Sequence, residues 1–186
     1  MIIMSLKVGI VTTSVRENRV GLDVAKWVLN YANSRKDQDV TYEIVDLKNF
    51  DLPILGLTPT EKQGANLGNF MSTMASFDAY VFVVAEYNHA PTGAIKNALD
   101  FLNRELNNKA VGYVGYGGLG GIRAIEHLRQ IHAELQMASV QKTVNFLLAY
   151  DFENFSVFKP SNVHEGNAKL LFDQLLAWGK ALKTIR

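Results

Sequence analysis

Cysteine is wholly absent from this chain of 186 residues. Disulfide scaffolds, thiolate metal sites and cysteine nucleophiles are excluded with it. A surplus of charge is lacking too: 19 Lys and Arg stand against 18 Asp and Glu, for a net charge of +1. Such a balance gives no field to steer nucleic acid toward the surface. Long apolar runs are missing, since Tyr80–Ala85 falls far short of the roughly 20 residues that cross a bilayer. Met1–Lys7 carries neither the basic flank nor the small-residue cleavage site of a secretory signal. No export signal and no cysteine make the cytoplasm the expected compartment, with no membrane or nucleic-acid partner. No Pro/Gly/Ser linker, internal repeat or low-complexity tract divides the sequence. One domain over 1–186 is expected, because a chain of this size buries about 70% of its unfolded surface.

What the sequence does contain is an alternation of short apolar runs and helical patterns. Strands are predicted over Leu6–Thr13, Val40–Val45, Ala79–Ala85, Ala110–Tyr116 and Val140–Leu148. Helices are predicted over Val20–Ser34, Ala65–Ser76, Thr92–Leu106, Ile122–Met137 and Asn167–Thr184, the last with Leu170, Leu171, Leu175, Trp178 and Leu182 as its buried stripe. A loop is expected over Asp151–Glu165. Strands alternating with helices imply right-handed crossovers and a parallel sheet. The expected fold is an α/β, flavodoxin-like three-layer sandwich with a five-stranded parallel sheet in the order 2-1-3-4-5. Ligands then belong at the carboxyl ends of strands 1, 3 and 4.

The first of these loops, Thr12–Gly21, leads into a helix, whose unpaired N–H groups and partial positive charge suit an anion. Three hydroxyls (Thr12, Thr13, Ser14) and two guanidiniums (Arg16, Arg19) surround that end, and the arginines converge if the helix begins between them. The alternative is an N-capping serine followed by two solvated arginines, which the helix dipole disfavours unless an anion is bound. No GxxxxGK[ST] occurs, so this is not an ATP-hydrolysing P-loop.

The third loop, Gly115–Gly121, contains G-x-G-x-x-G but follows the fourth strand, not the first, and no acid ends the next strand as a dinucleotide site requires. Its glycines instead let backbone N–H groups approach a flat ring edge. Among His89, His127, His132 and His164 there is no zinc spacing, and G-x-S-x-G is missing, so neither a metal nor a nucleophile elbow is expected. His89 reads as a solvent-facing turn residue or a substrate contact. Phe152, Phe155 and Phe158 read as packing under a long loop or as a lid.

The second loop runs Ala85-Glu-Tyr-Asn-His-Ala-Pro-Thr-Gly-Ala-Ile-Lys-Asn-Ala-Leu-Asp-Phe-Leu102. It resembles the P-E-Y-N…G-x-x-K-N-A-L-D-W/Y-L signature of the NADPH-dependent FMN reductase family, with Ala85 for the usual proline. The first loop resembles that family's G-S-x-R-x-x-[RS] motif, with Thr13 for the usual glycine. The resemblance implies an enzyme with FMN as cofactor and NADPH or NADH as substrate. Hydride would pass from nicotinamide to flavin N5 and then, by ping-pong, to a quinone, azo, flavin or metal oxyanion acceptor. It implies that Ser14, Arg16 and Arg19 hold the phosphate, that Glu86, Tyr87 and Asn88 hold the isoalloxazine and ribityl, and that Gly117, Gly118, Leu119, Gly120 and Gly121 line the ring edge. It also implies a homodimer or homotetramer and no acid–base side chain, because the cofactor carries the chemistry. The weighed alternatives are a flavodoxin-like one-electron carrier and a cofactor-free interaction protein. The carrier's acidic surface is not present in a chain of pI about 7.9.

Overall fold

The computed structural model describes residues 5–186; residues 1–4, part of the stretch read for an export signal, lie outside the described residues. Five parallel strands form the sheet: β1 (Leu6–Thr12), β2 (Val40–Asp46), β3 (Ala79–Tyr87), β4 (Ala110–Gly117) and β5 (Ala138–Leu147). Their spatial order is β2-β1-β3-β4-β5, the expected flavodoxin-like order. Ala90–Pro91 turns back antiparallel on the end of β3.

Helices α1 (Gly21–Ser34), α2 (Glu61–Ala75), α3 (Gly93–Leu99), α4 (Ile122–Glu134) and α5 (Glu165–Lys183) cover both faces. Alternation along β3 divides the core: Val81 and Val83 pack with Val28 of α1 and Leu171 and Leu175 of α5. Tyr80, Phe82 and Val84 point the other way, onto Phe70 and Met74 of α2, Leu99 of α3 and Leu128 of α4. Cover on both sides is why β3 is apolar at every position from Ala79 to Ala85.

Four expectations are corrected. Helix α2 begins at Glu61, ahead of Ala65, because Thr60 and Gln63 form a reciprocal capping box. Helix α3 ends at Leu99, short of Leu106. Beyond it the backbone breaks into turns that bring Leu102 and Leu106 into the core, and Asn103 N donates to Glu105 Oε2 (2.9 Å). Ile95, Ala98, Leu99 and Leu102 all pack in the core. On α5 the buried face is Ala168, Leu171, Phe172, Leu175, Leu176 and Gly179, leaving Leu170 and Trp178 exposed. A Cβ at Gly179 would stand 3.4 Å from Leu6 and 3.5 Å from Ala79, so the helix rides close to the sheet along that line. The segment after β5 is more than a loop: β6 (Phe152–Glu153) and β7 (Val157–Phe158) pair as a hairpin.

Candidate functional site

At the carboxyl end of the sheet a crevice of about 400 Å³ opens between the loops that follow β1, β3 and β4. That volume lies within the range of small-molecule sites. The first loop contributes Ser14, Arg16, Asn18 and Arg19, the second Glu86 and Tyr87, the third Tyr116, Gly117 and Gly118. Leu148, Phe155 and Ser156 close it from the segment after β5.

The first loop is fixed from behind. Thr13, where the resembled motif usually has glycine, donates to Val83 O (3.0 Å) and accepts from Ala85 N (3.0 Å), tying β1 to β3. Thr12 donates to Asp46 Oδ1 (2.9 Å) and accepts from Leu47 N (3.2 Å). Both hydroxyls are thus engaged in joining strands, and only Ser14 lines the crevice, sharing a 2.8 Å hydrogen bond with the Tyr87 hydroxyl. Gly21 opens α1 beside Tyr116, where a Cβ would come within 2.5 Å of the phenol oxygen. Burial pushes that phenol well above the usual tyrosine range, so it stays protonated.

The two arginines differ. Helix α1 starts at Gly21, close to the predicted Val20 and after both arginines, so the condition under which they would converge is not met. Arg16 is exposed, with its guanidinium 5.8 Å from the centroid of the Tyr87 ring. Arg19 has a side chain only 9% exposed and forms an ion pair with Asp46, at the end of β2. Among the described residues its Nε is buried with no hydrogen-bond partner. Sequence reading missed Asp46; the available signal was an acid directly after the β-branched run of β2.

Glu86 lines the crevice, yet its carboxylate faces the start of α4. It accepts from Arg123 N (3.0 Å), Ala124 N (3.3 Å) and Arg123 Nε (2.6 Å). Burial alone would raise this carboxyl; the bond from Arg123, with the backbone N–H groups, outweighs it and holds the group below the ordinary value. Arg123, given no role from the sequence, also donates to His89 Nε2 (2.7 Å), so His89 is an exposed turn residue with a partner.

Among the glycines, Gly117 (φ +148°) and Gly118 line the crevice, and a Cβ at Gly118 would meet nothing within 4 Å. Gly120 and Gly121 lie outside the crevice lining. A Cβ on Gly121 would reach 2.9 Å from Val84 O, and Gly120 O accepts from Asn145 Nδ2 (2.8 Å). They let the third loop turn tightly into α4. Asn88 and Leu119 are exposed and outside the lining as well. A second cavity, about 590 Å³, backs onto the first loop at Val15 and contains none of the nominated residues. Among the described residues no cluster of His, Asp and Glu is placed to hold a metal, and no helix is long and apolar enough to cross a membrane.

Comparison with known proteins finds similar NAD(P)H-dependent oxidoreductases. The chain is 30% identical over 186 residues to the NAD(P)H-dependent FMN reductase ntnL of Nectria sp, covering 95% of this chain and 89% of that protein. It is 35% identical over 106 residues to an NAD(P)H:quinone oxidoreductase of Solanum tuberosum, covering 55% of this chain and 52% of that one. The fold matches the flavoenzyme FerB, an NAD(P)H:(acceptor) oxidoreductase from Paracoccus denitrificans, with a TM-score of 0.66 at 18% identity over 96% of this chain and 98% of that chain. Residues 6–151, which hold all three loops, match a single family, and by that match the chain belongs to the NADPH-dependent FMN reductases.

Proposed function

We propose that the chain is an oxidoreductase whose FMN lies in the crevice at the ends of β1, β3 and β4. Family membership makes it an enzyme of NAD(P)H and FMN; the placement of the cofactor is our reading. One observation carries it. Arg19 is nine-tenths buried with an unpartnered Nε, in the same crevice as Ser14, Arg16, Tyr87 and Gly117. A buried guanidinium N–H without an acceptor is costly, and a phosphate oxygen is the acceptor that suits it.

Ser14, Arg16 and Arg19 would hold the phosphate. Tyr87 would give the organic part a flat apolar face, and the backbone at Gly117 and Gly118 would border its rim. Glu86 acts from behind, by fixing α4 against the second loop, while Gly120 and Gly121 shape the third. When bound, FMN accepts hydride from a reduced nicotinamide and passes reducing equivalents to a second substrate. An open crevice that admits the two substrates in turn fits ping-pong turnover, with a quinone as the first acceptor to try and azo compounds, free flavin and metal oxyanions next. NADPH and NADH both fit this reading. A homodimer or homotetramer, a single domain over 1–186 and a cytoplasmic location complete the proposal.

The test is a visible absorption spectrum after incubation with FMN and gel filtration. A retained yellow band is expected, and Arg16→Ala should bind FMN about ten- to a hundredfold more weakly, the equivalent of a charge-assisted hydrogen bond of roughly 1.5–3 kcal/mol. Protein that stays colourless overturns the reading. Parallel lines in double-reciprocal plots at varied NADPH and quinone are expected; intersecting lines overturn the ping-pong order.

A further inference from the structure

The hairpin β6–β7 has a turn that conflicts with its sequence. Its closing bond runs from Ser156 N to Glu153 O (3.1 Å), and the two residues between, Asn154 and Phe155, have φ +50° and +56°. Turns with two central residues at positive φ favour Asn-Gly, because glycine alone adopts the second position without strain. Here a phenylalanine occupies it. Its ring gains nothing from the core, being 68% exposed, and it lines the crevice.

The base of the same hairpin is firmly held. Asp151 is buried and accepts from Leu147 N (2.7 Å) and His164 Nε2 (2.7 Å), while Lys159 N donates to Asp151 O (2.8 Å). Phe152 and Phe158 pack on each other, and Phe158 packs on Phe146, with centroids 5.1 and 4.9 Å apart. A rigid base with a strained apolar tip is a local conflict of the kind that marks function. The family match ends at residue 151, one residue before the hairpin begins.

We propose that Phe155 is a further cofactor-binding residue, whose ring closes one side of the crevice against the apolar part of bound FMN. The proposal rests on the reading of the crevice as the FMN site. Strain at the turn is offset when the exposed ring gains a partner, and release of FMN must then break that contact.

Flavin fluorescence on mixing apoprotein with FMN reads both affinity and dissociation rate. Phe155→Gly should bind FMN about tenfold more weakly and release it faster, since one aromatic contact is lost. Its unfolding midpoint should rise, because glycine suits the turn. Phe155→Trp should restore binding, and inorganic phosphate, which lacks an apolar part, should shift the melting midpoint of wild type and Phe155→Gly equally. If Phe155→Gly binds FMN as tightly as wild type while Arg16→Ala does not, the role of Phe155 is overturned and the crevice stands. If neither substitution weakens FMN, the crevice reading falls and Phe155 with it.

Discussion

Asp46 and Arg19 come from different elements, 27 residues apart, and meet as an ion pair with side chains only 10% and 9% exposed. The carboxylate does more than neutralise: it also accepts from Thr12 Oγ1 (2.9 Å) and Lys48 N (3.3 Å), so it locks Arg19 to the ends of β1 and β2. Asp46→Ala leaves a buried guanidinium unpaired. Removing one partner of such a pair costs about 3–5 kcal/mol, and this loss is expected in urea unfolding. FMN affinity should fall with it, as Arg19 loses its fixed position. Arg16→Ala, at an exposed site, should weaken FMN while leaving the urea midpoint in place.

The pair also shows where sequence reading stops. Residues in one loop, such as Ser14, Arg16 and Arg19, are visible together because the chain itself joins them. Asp46 is joined to them only by the sheet register, which places Thr12 opposite Asp46. β3 was legible because burial on both faces demands an unbroken apolar run. The end of α3 was not, because the burial of Leu102 and Leu106 bends the chain where helical spacing alone would continue it. The stripe on α5 was half legible: Leu171 and Leu175 were found, but the close approach of Gly179 to Leu6 sets the facing angle and turns Trp178 outward. The positive φ of Phe155 has no trace in composition or periodicity.

Glu86 links the second loop to α4, and its removal should act on both. Glu86→Ala takes an acceptor from Arg123 N and Ala124 N at the helix start and leaves Arg123 with His89 alone. Loss of a cap costs about 1 kcal/mol, and the variant should melt earlier by a corresponding margin. The sign with pH follows from a carboxyl held below its ordinary value. Its contribution is fully present above the unfolded pKa and is lost as pH falls through the lower, folded one. The gap between wild type and Glu86→Ala should therefore narrow on acidification; a constant gap from pH 7 to pH 3 would show that the ion pair does not stabilise the fold.

His132 predicts a second acid effect, from the opposite kind of group. It is completely buried between Phe82 and Tyr113, with Nδ1 bonded to the Tyr113 hydroxyl at 2.8 Å. Burial pushes its pKa down to about 3. An unfolded histidine takes a proton near pH 6.5, so between there and pH 3 the unfolded chain holds one proton more. Stability should fall with pH across that window by up to about 1.4 kcal/mol per unit. His132→Phe removes the titration, and its urea midpoint should be flatter with pH than that of wild type over the same range.

Lys109 makes the matching prediction on the alkaline side. It is only 5% exposed, and its ammonium donates to Ala75 O (2.9 Å) and Met74 O (3.4 Å) at the end of α2. Burial pushes its pKa down to about 8, so the folded state gives up this proton before the unfolded chain does. Between pH 8 and the ordinary lysine value near 10.4 the unfolded state binds more protons, and the contribution of Lys109 to stability rises with pH. Lys109→Met removes that rise while exposing two helix carbonyls to an apolar neighbour. The stability difference between wild type and Lys109→Met should therefore move in favour of wild type from pH 8 to pH 10, by about 1 kcal/mol per unit at most steepness. Taking the difference between the two proteins isolates the contribution of Lys109. A difference independent of pH over that range would place the ammonium in contact with water and refute the burial that the structure assigns it.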